Sequence, residues 1–274
     1  MLIETLSTFP HMYDSVMGES MMKRAQEKGI LEFRAHDLRD WTHDRHRTTD
    51  DDPYGGGAGL VMKCDPIFEA VEAILGQEFV EAKLAAAPPQ GESQQRSSAA
   101  PQIVFLAPQG RPFDDAYADK LAAADHLLFI CGHYEGIDER VYTLADHVIS
   151  LGDYVLTSGE LASMVVIDAA VRKLPGVLGA AEGPVDESFT SGLLEYPQYT
   201  RPADFRGMRV PEVLTSGNHA AIARWRREQS LARTAAARPD LIAAAEAAGR
   251  LTPADQKFLK LLEPAPTGAA EGVS

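Results

Sequence analysis

The chain has little of what marks a secreted, membrane-spanning or zinc-binding protein. Its 274 residues include only two cysteines, Cys64 and Cys131, which lie far apart and outside any Cys/His spacing typical of zinc. We expect both thiols to be reduced and buried. No apolar run approaches the roughly 18 residues of a membrane helix, and the first residues lack the pattern of a secretory signal. The composition therefore predicts a cytoplasmic protein without membrane contact.

Several catalytic signatures are also missing. No Gly-x-Gly-x-x-Gly follows a predicted strand, and the glycine-rich segment at residues 55–59 is not followed by Gly-Lys-Ser or Gly-Lys-Thr. These absences argue against a Rossmann dinucleotide enzyme and against a P-loop that cradles phosphates. The sequence also contains no Gly-x-Ser-x-Gly motif and no Cys/His/Asp constellation that would indicate a side-chain nucleophile. By residue type, a site at glycine-ended strands would bind an uncharged ring through backbone groups.

Positive charge is scarce in the chain as a whole but concentrated in one segment. The net charge of −14 argues against indiscriminate binding to nucleic acid. Residues 197–238, however, contain eight arginines against three acids, a composition typical of a phosphate-contacting surface. A solvated helix face would have the same composition, so both interpretations stay open from charge alone.

What the sequence does contain is an alternation of apolar runs and helical patterns across residues 1–179. Two runs, 127–131 and 147–151, each stop at a glycine, Gly132 or Gly152. Short continuous apolar runs are typical of strands buried on both faces of a parallel sheet. These glycines allow a ligand to approach the main chain closely at the carboxyl edge of the sheet, where open α/β folds hold ligands. We predict an α/β domain with a mostly parallel sheet.

The segment after the second run predicts a helix over residues 158–173. Thr157 and Glu160 have the spacing of a capping box, with threonine as the cap. Helical spacing indicates an inward apolar stripe made of Leu161, Met164, Val165 and Val171. Asp168 and Arg172 fall on the same stripe, so they form either a buried ion pair or part of a site.

Composition divides the rest of the chain. Residues 84–101 are rich in proline, serine and glutamine and predict a low-complexity, disordered insertion. Residues 180–191 are polar and glycine-containing, as in a linker, and helical patterns follow over residues 192–262. Residues 263–274 predict a disordered tail. We therefore expect an α/β body and a smaller helical domain that carries the arginines.

Six segments resemble, in collinear order, the bacterial tRNA (guanine-N1-)-methyltransferases of the TrmD type. The segments are HRTTDDDPYGGGAG (46–59), CGHYEGIDERV (131–141), SLGDYVLTSGEL (150–161), IDAAVRKLPGVLG (167–179), LLEYPQYTRP (193–202) and LTSGNHAAIARWRREQSLART (214–234). The resemblance implies a SPOUT fold with a deep trefoil knot, an exception to unknotted topology. It also implies S-adenosylmethionine as cofactor, guanosine at tRNA position 37 as target, a homodimer with a composite active site, and dependence on Mg²⁺. No magnesium site is visible in the sequence.

The resemblance further implies a cofactor pocket at the glycine-ended strands. One predicted wall comprises Gly132, Leu151, Gly152, Asp153, Tyr154, Val155, Leu156 and Gly159. The other comprises Phe105, Leu106, Ala107 and Gly110. Apolar side chains would enclose adenine while backbone groups read its edge. Ser158 stands where the family often has glycine, and plain strand core is the alternative for the apolar members.

Methylation of guanine N1 requires a base near N1 and a cation or donor near O6. The resemblance assigns the second role to Arg172. It places the base in the linker, where this chain has Asp186-Glu187-Ser188-Phe189 and the family has Glu-Asp-Ser-Phe. An ungapped alignment, fixed by Ser188 and Phe189, selects Glu187, whereas a shift of one residue selects Asp186. Both carboxylates stay candidates, and a solvated linker acid is the alternative.

The resemblance implies tRNA contacts on both domains. Phosphates would be held by Arg201, Arg224, Arg226, Arg227 and Arg233 while a flipped guanine enters the pocket. Within residues 46–59, Asp50, Asp51 and Tyr54 match the family, whereas Asp52 replaces an expected basic residue. A flexible hairpin or lid is the simpler interpretation of this segment.

Two other functions stay open at this point. A ribose 2′-O-methyltransferase could use the same fold, although the linker acid and the helical C-terminal domain argue against it. An RNA-binding protein without catalysis is the second alternative. The exchanged order of Asp186 and Glu187, together with Asp52, is what keeps that alternative open.

Overall fold

The structure is a computed structural model that describes residues 1–86, 99–178 and 187–262. The chain divides into two compact units, Met1–Ala181 and Glu182–Ser274. Residues 87–98, 179–186 and 263–274 lie outside the described residues, and with them most of the predicted insertion, linker and tail. Leu84 and Ala85 belong to a helix, so the helix continues past the predicted start of the insertion at residue 84.

The first unit is built on a five-stranded sheet with the order β2-β1-β6-β5-β7. Its strands and those of one small hairpin are β1 (Leu2–Ser7), β2 (Glu32–Asp37), β3 (Asp50–Asp51), β4 (Val61–Met62), β5 (Gln102–Pro112), β6 (His126–Ile130) and β7 (His147–Ser150). Every neighbouring pair in the large sheet is parallel, which confirms the predicted parallel sheet. The hairpin of β3 and β4 is antiparallel.

The central strand β6 shows why the sequence predicted this sheet. Alternate side chains enter two different cores: Leu127 and Phe129 join one, and Leu128 and Ile130 join the other. All four are essentially inaccessible to solvent. A strand covered on both faces needs apolar residues at consecutive positions, and β6 has them.

Helices cover both faces of the sheet. They are α1 (Asp14–Met17), α2 (Ser20–Glu27), α3 (Cys64–Leu75), α4 (Gln77–Ala85), α5 (Asp115–Ala122) and α6 (Gly159–Val171), with 3₁₀ turns at Pro10–Tyr13, Leu38–Trp41 and Glu139–Leu144. Residues of α2, α5 and α6 complete the first core, and residues of α3 and α4 complete the second. This layered packing leaves the carboxyl ends of the strands accessible at one edge.

Helix α6 corrects the predicted cap. Ser158, and not Thr157, is the N-cap residue, and its side chain makes no capping hydrogen bond. The carboxylate of Glu160 also does not reach back to the cap. It accepts hydrogen bonds from Ser7 and His133 instead. The capping-box spacing is therefore present without the capping box, because Glu160 is recruited into a buried polar network.

The outer face of α6 corrects the predicted inward stripe. Met164 and Val171 are buried as predicted, but Leu161 and Val165 are 44% and 54% exposed. Asp168 is exposed too, so the interpretation of Asp168 and Arg172 as a buried ion pair is wrong. The helix is apolar around most of its circumference, so helical spacing alone could not tell which face points inward.

The second unit is helical apart from one short hairpin. Its elements are β8 (Asp204–Phe205), β9 (Met208–Arg209), α7 (Glu212–Thr215), α8 (His219–Ala237), α9 (Pro239–Ala247) and α10 (Pro253–Leu262). A small core forms around Leu193, Leu231 and Ala245. The antiparallel hairpin of β8 and β9 was not predicted, because strands of two residues leave no apolar periodicity.

Candidate functional site

The carboxyl ends of β5, β6 and β7 enclose a cavity of about 310 Å³. Its lining consists of residues 106–109, 132–137, 149–152 and 154–159, together with Glu139, Tyr142 and Ala162. The cavity lies where the register of β5 against β7 shifts between Leu106 and Arg111, so the intervening residues bulge from the sheet. Open parallel sheets hold their ligands at this edge.

Most of the predicted wall residues meet at this cavity. Those that line it are Leu106, Ala107, Gly132, Leu151, Gly152, Tyr154, Val155, Leu156 and Gly159. Asp153, Phe105 and Gly110 do not. Phe105 is fully buried and packs on Tyr142, with 4.9 Å between ring centroids. Gly110 lies against β7, where a Cβ atom would come within 2.5 Å of the Ile149 nitrogen. Phe105 and Gly110 thus support the wall from behind.

Two glycines form the floor of the cavity. The Gly159 amide donates a hydrogen bond to the Gly132 carbonyl at 2.8 Å. A Cβ atom at Gly159 would lie 2.7 Å from the Gly132 nitrogen, so no larger residue fits this approach. The contact brings the start of α6 against the end of β6, and both glycines line the cavity.

Sequence reasoning missed several lining residues, among them Gln109, His133, Tyr134 and Glu135. The last three belong to the segment CGHYEGIDERV, which carried the family resemblance, so its strand-end position was the available signal. Nothing in the local pattern marked Gln109.

A buried polar network supports the cavity at His133. Its Nε2 lies 2.7 Å from Glu160 Oε2, and the Ser7 hydroxyl donates to the other carboxylate oxygen. Burial alone raises the pKa of the Glu160 carboxyl, but the hydrogen bonds from His133 and Ser7 outweigh burial and hold that pKa below its ordinary value. Glu160 is therefore an ionised side chain inside the first unit.

The cysteines carry no nucleophile. Cys131 is buried as expected, with its Sγ 3.1 Å from the Tyr13 hydroxyl, and burial raises the pKa of the thiol to about 12. Cys64 is only partly buried, which corrects the expectation for that residue. Burial raises its pKa to about 11. Both thiols are thus protonated at neutral pH and lack the thiolate that reactive cysteines need.

The Ser158 side chain belongs to a residue that lines the cavity. Its Oγ is buried and finds no hydrogen-bond partner in the described parts of the chain. An unsatisfied buried hydroxyl costs about 1–3 kcal/mol. Since Ser158 lines the cavity, a ligand with a polar group at this point would satisfy it.

The predicted catalytic residues lie in different units. Arg172 is the C-cap of α6 in the first unit and is partly buried. Glu187 is partly buried in the second unit. Ser188 is held in place by Glu195, whose amide donates to the serine Oγ at 2.9 Å. Asp186 lies outside the described residues. The assignments of Arg172, Glu187 and Asp186 stay predictions.

The predicted tRNA-binding arginines differ in their surroundings. Arg201, Arg224, Arg226 and Arg233 are exposed, although Arg233 also donates to the Glu195 carbonyl at 3.1 Å. Arg227 donates through Nε and Nη2 to the two oxygens of Asp255, at 3.0 and 2.9 Å. Asp255 also accepts from the Thr252 amide, so Arg227 joins α8 to the start of α10. This pairing gives Arg227 a structural role.

Residues 46–59 include β3 and most of the connection to β4. The segment is therefore part of a hairpin, which confirms the hairpin interpretation. Asp50 and Asp51 form β3, and Tyr54 is fully exposed in the connection. The Met62 amide of β4 donates to the Gly136 carbonyl at 3.0 Å. The hairpin is thus attached to the loop that lines the cavity.

Residues 1–86, 99–178 and 187–262 contain no group of three or more His, Cys, Asp or Glu side chains arranged to hold a metal ion. Within these same ranges, every helix is too short or too polar to cross a bilayer.

The first unit thus combines a parallel α/β sheet with a cavity at its carboxyl edge, the position at which open α/β folds hold ligands. The sequence profile described as "tRNA (Guanine-1)-methyltransferase TrmD" matches residues 1–244. The chain therefore belongs to the TrmD family of tRNA (guanine-N1)-methyltransferases, which are enzymes of the transferase class. The resemblance found in the six sequence segments is confirmed.

Relatives named tRNA (guanine-N(1)-)-methyltransferase match over nearly their full length. The protein of Limosilactobacillus reuteri is 52% identical over 246 residues, covering 90% of this chain and 91% of the relative. That of Symbiobacterium thermophilum is 51% identical over 260 residues, covering 95% and 97%. That of Geotalea uraniireducens is 48% identical over 264 residues, covering 96% and 97%. These matches do not favour the 2′-O-methyltransferase or the non-catalytic alternative.

Proposed function

We propose that the protein transfers the methyl group of S-adenosylmethionine to N1 of the guanosine at tRNA position 37, next to the anticodon. The observation that carries the proposal is the cavity floored by Gly132 and Gly159. Its lining comes largely from segments that match the family. A tRNA substrate also places the protein in the cytoplasm.

The residues of the cavity fit S-adenosylmethionine. Leu106, Val155 and Leu156 would enclose the adenine ring, and backbone groups at Gly132 would read its edge. The unsatisfied hydroxyl of Ser158 would gain a polar partner. When bound, the cofactor supplies an electrophilic methyl group on a sulfonium.

The chain's own groups would prepare the guanine for this methyl group. A linker carboxylate, Glu187 or Asp186, would accept the N1 proton, which leaves the N1 electron pair available for bond formation. Arg172 would donate to O6, where negative charge gathers as the proton leaves. The arginines of the second unit would hold tRNA phosphates, with Arg201, Arg224, Arg226 and Arg233 in exposed positions that suit this role.

We further propose a homodimer whose active site uses groups of both subunits. The outer face of α6 supports this proposal, because Leu161 and Val165 are exposed apolar side chains on a helix that also ends at Arg172. Val155, at the rim of the cavity, is 86% exposed. Adjoining exposed apolar side chains of this kind mark interaction surfaces.

The family also implies a knotted chain and a division of labour between the domains. We propose a trefoil knot in the body at residues 1–179, supported by the membership of the chain in this family. Residues 192–262 would bind tRNA, connected through residues 180–191. The described residues offer no cluster of three metal-ligating side chains for Mg²⁺, so no step of the reaction is assigned to magnesium.

Methyl transfer from labelled S-adenosylmethionine to tRNA transcripts tests the proposed function. Transcripts with guanosine or adenosine at position 37 would be compared, using the wild type, Asp186→Ala and Glu187→Ala. We expect transfer only to the guanosine transcript and its loss in one of the two variants, which would identify the base. Binding of cofactor and tRNA without any transfer would contradict the proposal.

The same assay tests Arg172. We expect Arg172→Ala to abolish turnover while the affinity for S-adenosylmethionine, measured by calorimetry, stays at the wild-type value. Unchanged turnover in this variant would remove Arg172 from the catalytic assignment.

A further inference from the structure

The second unit contains a cavity of its own, of about 410 Å³, which we call the second-unit pocket. It is bounded by residues 196–201 and Ala203, by Val210 after the hairpin, by α7, and by Ile222 and Arg226 of α8. All of these residues belong to one compact unit. The volume lies in the range typical of small-ligand sites.

The charges of the second-unit pocket favour an anion. Among the residues that the structure describes, Arg201 and Arg226 line it and no carboxylate does. The whole chain carries a net charge of −14, so a lining with two cations and no acid departs strongly from the average surface. Planar guanidinium groups are suited to phosphate oxygens, to which they can donate two hydrogen bonds each.

The aromatic groups of the pocket favour a flat ring. Tyr199 is 50% exposed and is braced by Trp225, with 6.4 Å between the tilted rings. Arg226 lies over the ring of Tyr196, with its central carbon 4.8 Å from the centroid. A half-exposed tyrosine that packs on a second aromatic ring, in a pocket that also contains arginines, is the kind of surface on which unpaired nucleobases stack.

The remaining lining suits the edges of an uncharged base. Val210, Leu214 and Ile222 provide apolar contact, while Gln198, Thr200 and Thr215 offer neutral donors and acceptors. Together with the two arginines, these groups match a nucleotide: an anionic phosphate joined to a flat, neutral, hydrogen-bonding ring.

We propose that the second-unit pocket binds one unpaired nucleotide of the tRNA, with its base stacked on Tyr199 and its phosphate held by Arg201 and Arg226. This inference rests on the proposed function, which makes tRNA the partner. The bound nucleotide is distinct from the methylated guanosine, because none of the described residues that line the pocket has a carboxylate to accept the N1 proton. The pocket therefore serves to fix the position of the tRNA.

A double-mutant cycle between protein and RNA tests this inference. The Kd of the wild type and of Tyr199→Ala would be measured for tRNA molecules that each carry one abasic site at an unpaired position other than 37. We expect one abasic site to weaken binding by the wild type about tenfold and to leave binding by Tyr199→Ala unchanged. Equal losses for both proteins at every position would overturn the proposal.

Two matched comparisons separate stacking from general charge. Tyr199→Phe keeps the ring, so it should retain the wild-type sensitivity to the abasic site. Arg226→Ala and Arg224→Ala remove the same charge from one helix, but only Arg226 lines the pocket. The sensitivity to the abasic site should therefore fall in Arg226→Ala and persist in Arg224→Ala. The reverse result would contradict the assignment, and thermal unfolding would show that each variant is folded.

Failure of this inference differs from failure of the proposed function. Normal methylation of intact tRNA without any position-specific coupling to Tyr199 would overturn the pocket alone. Coupling to Tyr199 without any methylation would overturn the proposed reaction and leave the pocket as an RNA-binding site.

Discussion

Glu160 Oε2 lies 2.7 Å from His133 Nε2 and fixes the orientation of an imidazole that lines the cavity at the carboxyl edge of the sheet. The carboxylate is inaccessible to solvent, and its second oxygen accepts from Ser7 on β1. Three segments that are distant in sequence are thus joined beneath one wall of the site. A buried carboxylate that is fully bonded stabilises a single arrangement of its partners.

Replacement of Glu160 by glutamine should destabilise the first unit and weaken cofactor binding. The variant keeps the shape of the side chain but loses the charge that His133 and Ser7 contact. We expect a loss of about 2 kcal/mol in the free energy of unfolding, as for other hydrogen bonds to charged groups, measured by urea denaturation. Ser163→Ala, which alters the neighbouring Tyr13 contact, is the control and should leave cofactor affinity intact. Wild-type stability in Glu160→Gln would contradict the network.

Gly159→Ala should disrupt the floor of the cavity. Its Cβ atom would lie 2.7 Å from the Gly132 nitrogen, and backbone cannot move away as a side chain can. We expect S-adenosylmethionine binding to fall below detection in calorimetry, with a lower melting temperature. Ala162→Ser, one turn along the same cavity-lining helix, serves as a mild control. Normal affinity in Gly159→Ala would show that the contact opens without cost.

Ser158→Ala should have opposite effects on the stability of the free protein and on cofactor binding. Removal of a buried hydroxyl without a partner should raise the stability of the free protein by about 1 kcal/mol. The same change should weaken cofactor binding, because the ligand loses its hydrogen bond there. Differential scanning calorimetry with and without cofactor measures both effects. A fall in the stability of the free protein would mean that the hydroxyl is already satisfied.

His147 predicts a pH dependence of folding between pH 6.5 and 4. Burial lowers the pKa of this imidazole from 6.5 to about 4, and its neutral form contacts Tyr117 and Gln102 at 2.9 and 2.8 Å. The unfolded chain binds a proton at higher pH than the folded chain does. The stabilisation is therefore complete above pH 6.5 and is lost as the pH falls toward 4, by up to about 3 kcal/mol.

Urea denaturation of the wild type and of His147→Gln across this range measures the contribution of His147. The variant should have a flatter pH profile between 6.5 and 4. Parallel profiles for the two proteins would exclude His147 as the source.

Arg227→Ala and Arg224→Ala should affect different properties. Arg227 pairs with the buried carboxylate of Asp255, so its removal should destabilise the second unit by about 2 kcal/mol. Arg224 is exposed, so its removal should leave stability within about 0.5 kcal/mol and reduce the salt dependence of tRNA binding. Thermal unfolding and Kd measurements at several salt concentrations check both. If Arg224→Ala destabilised the protein and Arg227→Ala reduced the salt dependence of tRNA binding instead, the two assigned roles would be reversed.

The sequence was sufficient for the parallel sheet and for the edge that carries the site. Both followed from continuous apolar runs that end at Gly132 and Gly152 and from their alternation with helical patterns. The orientation of α6 was not predictable, since a helix apolar on nearly every side gives no contrast. Leu161 and Val165 therefore looked like core.

Three predicted wall residues lie outside the cavity lining, and the positions of two of them have a physical explanation. Phe105 precedes the bulge in β5 and Gly110 lies within it, and both pack against neighbours behind the lining. A register shift depends on contacts between strands, which a single sequence does not display. Asp153 follows Gly152 in the matched segment, and nothing in the structure explains its position outside the lining.

The floor made by Gly132 and Gly159 consists of main chain, whose N–H and C=O groups are kept by every substitution except proline. Mutations of the protein would therefore do little to weaken the binding of a compound that forms hydrogen bonds with this floor. Any side chain added at Gly159 collides with the protein's own backbone before it reaches the compound. Resistance would have to arise among the side chains of the lining, such as Val155, which is exposed.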